Sequence, residues 1–243
     1  MTIVTLILCL LLTVITPFFI KNKRTRGAFI NGICRPNFVL LGVPVVSNLT
    51  GGSGAATAAL ILPFMVPLFN MMGVIILTVH SDDAQEHGIK KVLLEIVKNP
   101  LIRAIVIGLP FMIFNLDLPE FLQRSVNYIG NTATPLALIS LGAGVDLKVL
   151  RTKIKLSLTA ALIKTVLCPV LFVIPAYLLG FHGEEITVIY VLSAAPSAVA
   201  SYIMAKNMNS DAELGGQILA LTTILCTATI FAGSLILKFI GVI

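Results

Sequence analysis

Charge is what this sequence has least of. Only 12% of its 243 residues are Asp, Glu, Lys or Arg, whereas a soluble fold carries about 25% to cover its surface. A soluble enzyme and a soluble nucleic-acid binder are excluded on that ground. A disordered chain is excluded too, because so few charges cannot keep it solvated. Clustered metal or catalytic chemistry is also lacking. Cys9, Cys34, Cys168 and Cys226 stand apart, with no CxxC spacing and no nearby His cluster, and read as small apolar fillers. His80, His87 and His182 fall in polar stretches. No HExxH, Walker, GxGxxG or GxSxG pattern occurs, so the chain is not expected to be an enzyme or to hold a metal or cofactor.

What the chain has is apolar length. Hydrophobic residues make up 57% of it, and its mean hydropathy is +1.01. A membrane span takes about 20 residues, so the chain holds at most roughly eight to ten spans with short loops. Residues 1–20 are uncharged and precede Lys21, Lys23, Arg24 and Arg26. A signal peptide has the opposite order, so this is a retained span with its N-terminus outside. Further spans are expected at about 27–47, 55–79, 99–116, 125–145, 156–179, 186–205 and 214–237, which makes eight. Between them, 80–98 is polar, its 90–98 part reading as an interfacial helix. Residues 146–155 read as a basic loop, and Gly51-Gly52-Ser53-Gly54 as a flexible outward turn.

The basic residues give the orientation. With the N-terminus outside, twelve Lys and Arg fall on inner loops, against only Arg124 and Lys238 outside. That asymmetry is the positive-inside signature, and it accounts for the net charge of +6 without any nucleic-acid partner. The expected product is a multi-pass protein of the cell membrane, in contact with the lipid bilayer and with both termini outside.

Two spans carry helix-breaking residues at mid-depth: Arg35-Pro36-Asn37 followed by Gly42-Val43-Pro44, and Ser193-Ala-Ala-Pro196-Ser197. Proline removes a backbone donor and clashes with the preceding turn. Ordinary kinks are one explanation for such prolines. Two interrupted spans in matching contexts are also the pointer to a secondary transporter's midplane site. Each is followed by a polar turn and a long unbroken span. Aligning the breaks divides the chain into a first repeat at 1–80 with three spans, a cytoplasmic segment at 81–98, and a second repeat at 99–243 with five spans. An odd-numbered repeat inverts topology. The expected fold is an all-α integral membrane protein of the inverted-repeat transporter type, with broken crossover helices at about 27–47 and 186–205.

The stretches Arg35-Pro-Asn-Phe-Val-Leu-Leu-Gly-Val-Pro44, Lys98-Asn-Pro-Leu-Ile-Arg103 with Gly108, Pro135-Leu-Ala-Leu-Ile-Ser-Leu-Gly142, Lys164 with Pro169, and Ala195-Pro196 through Ala205-Lys206 occur in this order along the chain. In these stretches it resembles the auxin efflux carrier family, in its bacterial branch. The resemblance implies ten helices in two inverted repeats, broken helices crossing at prolines beside the substrate, and a homodimer that moves organic anions. It also implies a substrate contact for the asparagine after the crossover proline, Asn37 here. Against that pattern, the first repeat here lacks two N-terminal spans.

Arg35 and Lys164 each lie about eight residues into their spans from the inner side, roughly 12 Å deep. A charge at that depth marks a functional pathway by default, with snorkelling to the interface as the bland alternative. Half-helices starting near Asn37 and Ser197 would present unpaired N–H groups and positive dipole ends, which suit a carboxylate together with Arg35 or Lys164. Ser193, Ser197 and Ser201 could add hydroxyls or serve only as small packing residues. Asn70 could bond across helices for packing or for the site. The acidic residues all fall in loops or at span ends, so a proton relay through a buried carboxylate is not expected. The expected function is a carrier or efflux permease for small organic anions such as dicarboxylates or auxin-like acids, with Pro36, Gly42, Pro44 and Pro196 shaping the helix breaks. The shortened first repeat leaves a second reading open, an N-terminally truncated, transport-inactive fragment or membrane partner protein.

Overall fold

A computed structural model describes residues 1–81, 100–114, 116, 118–143 and 147–243. Apart from Ser81, the expected cytoplasmic segment with its interfacial helix lies outside the described residues, as do His87, Asp117 and Asp146. Among the described residues the chain is helical, without strands. Its helices are α1 (Thr2–Phe19), α2 (Lys23–Cys34), α3 (Val43–Leu49), α4 (Ser53–Val79), α5 (Pro100–Ile113), α6 (Glu120–Ala143), α7 (Leu147–Leu162), α8 (Cys168–Leu178), α9 (Glu184–Ala194), α10 (Val199–Asn207) and α11 (Ala212–Phe239). Two π-helical turns, Phe38–Gly42 and Ile163–Leu167, lead into α3 and join α7 to α8.

Among the described residues, four helical stretches are long and apolar enough to cross a membrane: Thr2–Phe19, Ser53–Val79, Lys153–Leu178 and Ala212–Phe239. The second and seventh expected spans are each split in two, α2 with α3 and α9 with α10. Both are interrupted where the prolines stand. α5 and α6 occupy the fourth and fifth expected spans. They fall outside that set because α5 has only 14 residues and Asn127 and Asn131 dilute α6. The basic stretch read as a loop at 146–155 is helical from Leu147 onward. Lys and Arg are good helix formers, and Lys153 has a fixed partner in Asp211 at 2.7 Å.

Local chemistry sets the ends. Asn22 caps α2 by accepting from the Thr25 N–H at 3.1 Å, and Asp211 caps α11 by accepting from Leu214 at 3.0 Å. Pro44 stands in the first turn of α3, just past the π-helical turn, and its missing N–H accompanies the change there from π- to α-helical bonding. Gly51 and Gly52 have φ of +63° and +99°, which fits the turn expected there and lets α4 fold back beside α3.

Two large apolar clusters hold most of the helices together, beside smaller ones at Val199, Tyr202 and Leu219 and at Val74, Leu77 and Met204. One gathers Leu8, Ile30, Ile33, Phe172, Leu214 and Ile218, from α1, α2, α8 and α11. The other gathers Phe38, Val46, Met65, Phe69, Val191 and Leu192, around α3, α4 and α9. The outward faces of α1 and α11 are apolar and exposed, as at Phe18 and Phe231, which suits lipid contact.

Candidate functional site

The two broken helices meet at their breaks. Pro36 lies antiparallel to Ser197. On either side of this pair the Asn37 N–H donates to the Pro196 carbonyl at 2.8 Å and the Ala198 N–H donates to the Arg35 carbonyl at 2.9 Å. A helix break leaves N–H and C=O groups without intrahelical partners, and leaving them unpaired in an apolar interior is costly. Here each break supplies what the other lacks. Pro36 sits in the pair that exchanges no hydrogen bonds, so its missing N–H removes nothing. The Ser197 N–H turns away to Thr222 Oγ1 at 3.1 Å. Asn37 Oδ1 accepts from the Leu40 N–H at 3.3 Å and so caps the π-helical turn.

Arg35 ends α2 and is 8% exposed. Its guanidinium donates to Asn70 Oδ1 and contacts Met204 Sδ. Asn70, for which packing and site roles stood equal, thus bonds across helices to the site's arginine. Lys164 sits in the second π-helical turn, 3% exposed, and its Nζ donates to the Ser193 carbonyl at 3.1 Å. That carbonyl belongs to the last turn of α9, where partial negative charge collects, so the ammonium caps a half-helix. Among the described residues, no acidic side chain pairs with either cation. Beside Lys164 a water-sized cavity of about 10 Å³ is bordered by Cys34, Pro36, Cys168 and Ser193.

The structure brings Arg35, Asn37, Ser197, Lys164 and Ser193 to the two breaks. Arg35 turns toward Asn70 and α10, while Lys164 turns toward α9. The serines differ. The Ser193 hydroxyl donates to the Tyr190 carbonyl at 2.8 Å, whereas Ser197 Oγ is fully buried and unpartnered. Ser201 Oγ donates to the Asn31 carbonyl at 3.5 Å, and Asn31 Nδ2 returns a bond to the Ser201 carbonyl at 3.4 Å. Gly42 lets α9 close on the first break, since a Cβ there would stand 2.8 Å from Leu192 Cδ2.

Sequence reasoning missed Asn31, Thr222 and Met204. Asn31 and Thr222 were visible as polar residues within apolar stretches, the signal that drew attention to Asn70. Met204 carried none. All four cysteines are buried with free thiols, as the filler reading expects.

Away from the breaks, Asp211 gathers three elements. It accepts from Thr25 Oγ1 at 2.8 Å, from Lys153 Nζ at 2.7 Å and from the Leu214 N–H. Burial pushes its carboxyl up, but the bonds from Lys153, Leu214 and Thr25 outweigh that and leave it below the usual carboxylate range. His80, just past α4, is held below the usual imidazole range by burial, against the opposing bond to the Ile76 carbonyl.

A family model described as "Membrane transport protein" matches residues 1–232. An uncharacterized transporter of Methanothermobacter thermautotrophicus is 23% identical over 83% of this chain and 65% of its own length. Another, from Methanocaldococcus jannaschii, is 25% identical over 85% of this chain and 66% of its own. Auxin efflux carrier component 4 of Arabidopsis thaliana is 24% identical over 47% of this chain and 20% of its own. The chain thus spans about two thirds of the length of the archaeal relatives, 65% and 66%. With an all-α, membrane-spanning architecture and a family match over nearly its whole length, the chain belongs to the membrane transport protein family that includes the auxin efflux carriers.

Proposed function

We propose that this chain carries small organic anions, such as dicarboxylates or auxin-like acids, across the cell membrane by alternating access around the meeting of its two breaks. The observation that carries the reading is the pair of buried cations, Arg35 and Lys164, beside that meeting with no carboxylate pairing with either among the described residues. A charge in an apolar interior costs several kcal/mol unless it is paired. A substrate anion is the missing partner. Asn37, Ser193 and Ser197 supply further polar groups beside the breaks, and the unpartnered Ser197 hydroxyl is available to donate.

The division into repeats at 1–80 and 99–243 supports the same reading, because each repeat contributes one broken helix and the breaks satisfy each other. We place both termini outside and expect a homodimer. The carrier role is tested by reconstituting the chain in vesicles and measuring saturable uptake of labelled dicarboxylates and auxin-like acids. Arg35→Ala and Asn37→Ala abolish the flux; full activity in both variants removes the site assignment.

A further inference from the structure

A cavity of about 600 Å³ opens between α3 and the second half of α11, away from both buried cations. Its wall includes Leu41 and Val45 from the first broken helix, Pro196 at the second break, and Phe231, Leu235 and Lys238 from α11. The volume lies in the range of small-molecule sites, about 300–1,000 Å³. From Cys226 at one end to Lys238 at the other, twelve residues of α11 run about 18 Å. One leaflet's share of a hydrocarbon core about 30 Å thick is a little less, about 15 Å.

Charge stands at one end of the cavity only, although Thr227 adds a hydroxyl beside Cys226 at the other. Lys238, exposed in the last turn of α11, is the one charged side chain in the lining. Ser234 lies one turn before it on the same helical face, and its Oγ is buried without a hydrogen-bond partner. The inner end, at Leu41, Val45 and Pro196, offers no charge. A dicarboxylate there would leave one charged head buried and unpaired, which an apolar lining disfavours.

We propose that this cavity binds a single-chain carboxylate amphiphile, a free long-chain fatty acid from the surrounding leaflet. Its head sits between Lys238 and the Ser234 hydroxyl, and its chain runs toward Pro196. The site is independent of the carrier reading, since binding is measured without flux.

The chain contains no tryptophan, so Phe231→Trp gives it a lone fluorophore on the cavity wall. The full-length variant is placed in phosphatidylcholine nanodiscs and titrated with palmitate. Emission shifts saturably, and adding Lys238→Gln raises the half-saturating concentration about tenfold, the loss of one charge-assisted bond. An equal shift with hexadecylamine, or none of the expected weakening in Lys238→Gln, overturns the proposal. So does an equal shift from phosphatidylglycerol, which would make the occupant an ordinary anionic lipid. If Phe231→Trp does not insert, a diazirine-bearing fatty acid is cross-linked to the unmodified chain. Labelling within residues 226–238 supports the site, and labelling elsewhere overturns it.

Discussion

The Lys164 ammonium donates to the Ser193 carbonyl at 3.1 Å, so a cation on one span closes the C-terminal end of a half-helix on another. The bond has two consequences of opposite sign. A cation at a helix C-terminus contributes about 0.3–2 kcal/mol, while holding it in an apolar interior costs a comparable amount or more.

Lys164→Met tests which consequence matters. Methionine keeps the length of the side chain and removes the charge, so thermal stability in detergent stays within about 1 kcal/mol of the parent. Anion flux falls at least about tenfold if the ammonium pairs with substrate, equivalent to about 1.4 kcal/mol. Unchanged flux would make Lys164 a helix cap and nothing more.

Gly42→Val drives a branched side chain into Leu192, whose Cδ2 would stand 2.8 Å from the new Cβ. Overpacking of this kind costs about 1–3 kcal/mol. Adding Leu192→Ala to the same chain restores part of the loss by vacating the space. A double variant no more stable than Gly42→Val alone would show that the strain lies in the backbone.

Thr222 is the acceptor for the buried Ser197 N–H at 3.1 Å. Thr222→Val keeps the shape and leaves that N–H without a partner, lowering stability by about 1–3 kcal/mol. Thr222→Ser keeps the hydroxyl and most of the stability. Thermal unfolding of the two variants side by side distinguishes loss of the bond from loss of packing.

Asp211 gives the fold a pH dependence. Its carboxyl is held below the usual value, so it binds protons less readily folded than unfolded. Its stabilisation is complete above the unfolded value of about 3.9 and is lost as pH falls through the lower folded value. Parent and Asp211→Asn are therefore furthest apart in melting temperature near pH 6 and converge only as pH falls through the lowered folded value. A gap that does not change with pH would show that the Lys153 and Thr25 bonds do not depend on the charge.

Much of this architecture was legible because membrane insertion writes itself into composition. Apolar runs of span length, basic flanks and mid-span prolines each reflect a local physical requirement, and the breaks at Arg35–Asn37 and Ala195–Ser197 fall where the prolines placed them. Other features depend on contacts distant in sequence. Nothing local says that Pro36 faces Ser197 when Pro196 is its counterpart in the alignment of breaks, or that Arg35 reaches Asn70 and Met204. The π-helical turn that carries Lys164 was hidden as well, since the surrounding sequence reads as uninterrupted helix. At 147–155, charge suggested a loop, while helix propensity and the Asp211 partner favour helix.

The two hydrogen bonds between the breaks also bear on how such a protein changes over time. The main-chain groups they join are already committed to one another and impose little on the side chains projecting from them. Under the carrier function proposed above, replacements at Ser193 or Ser197 therefore alter what is recognised while the frame stays intact, whereas Asn37 is tied to the frame through its cap on Leu40.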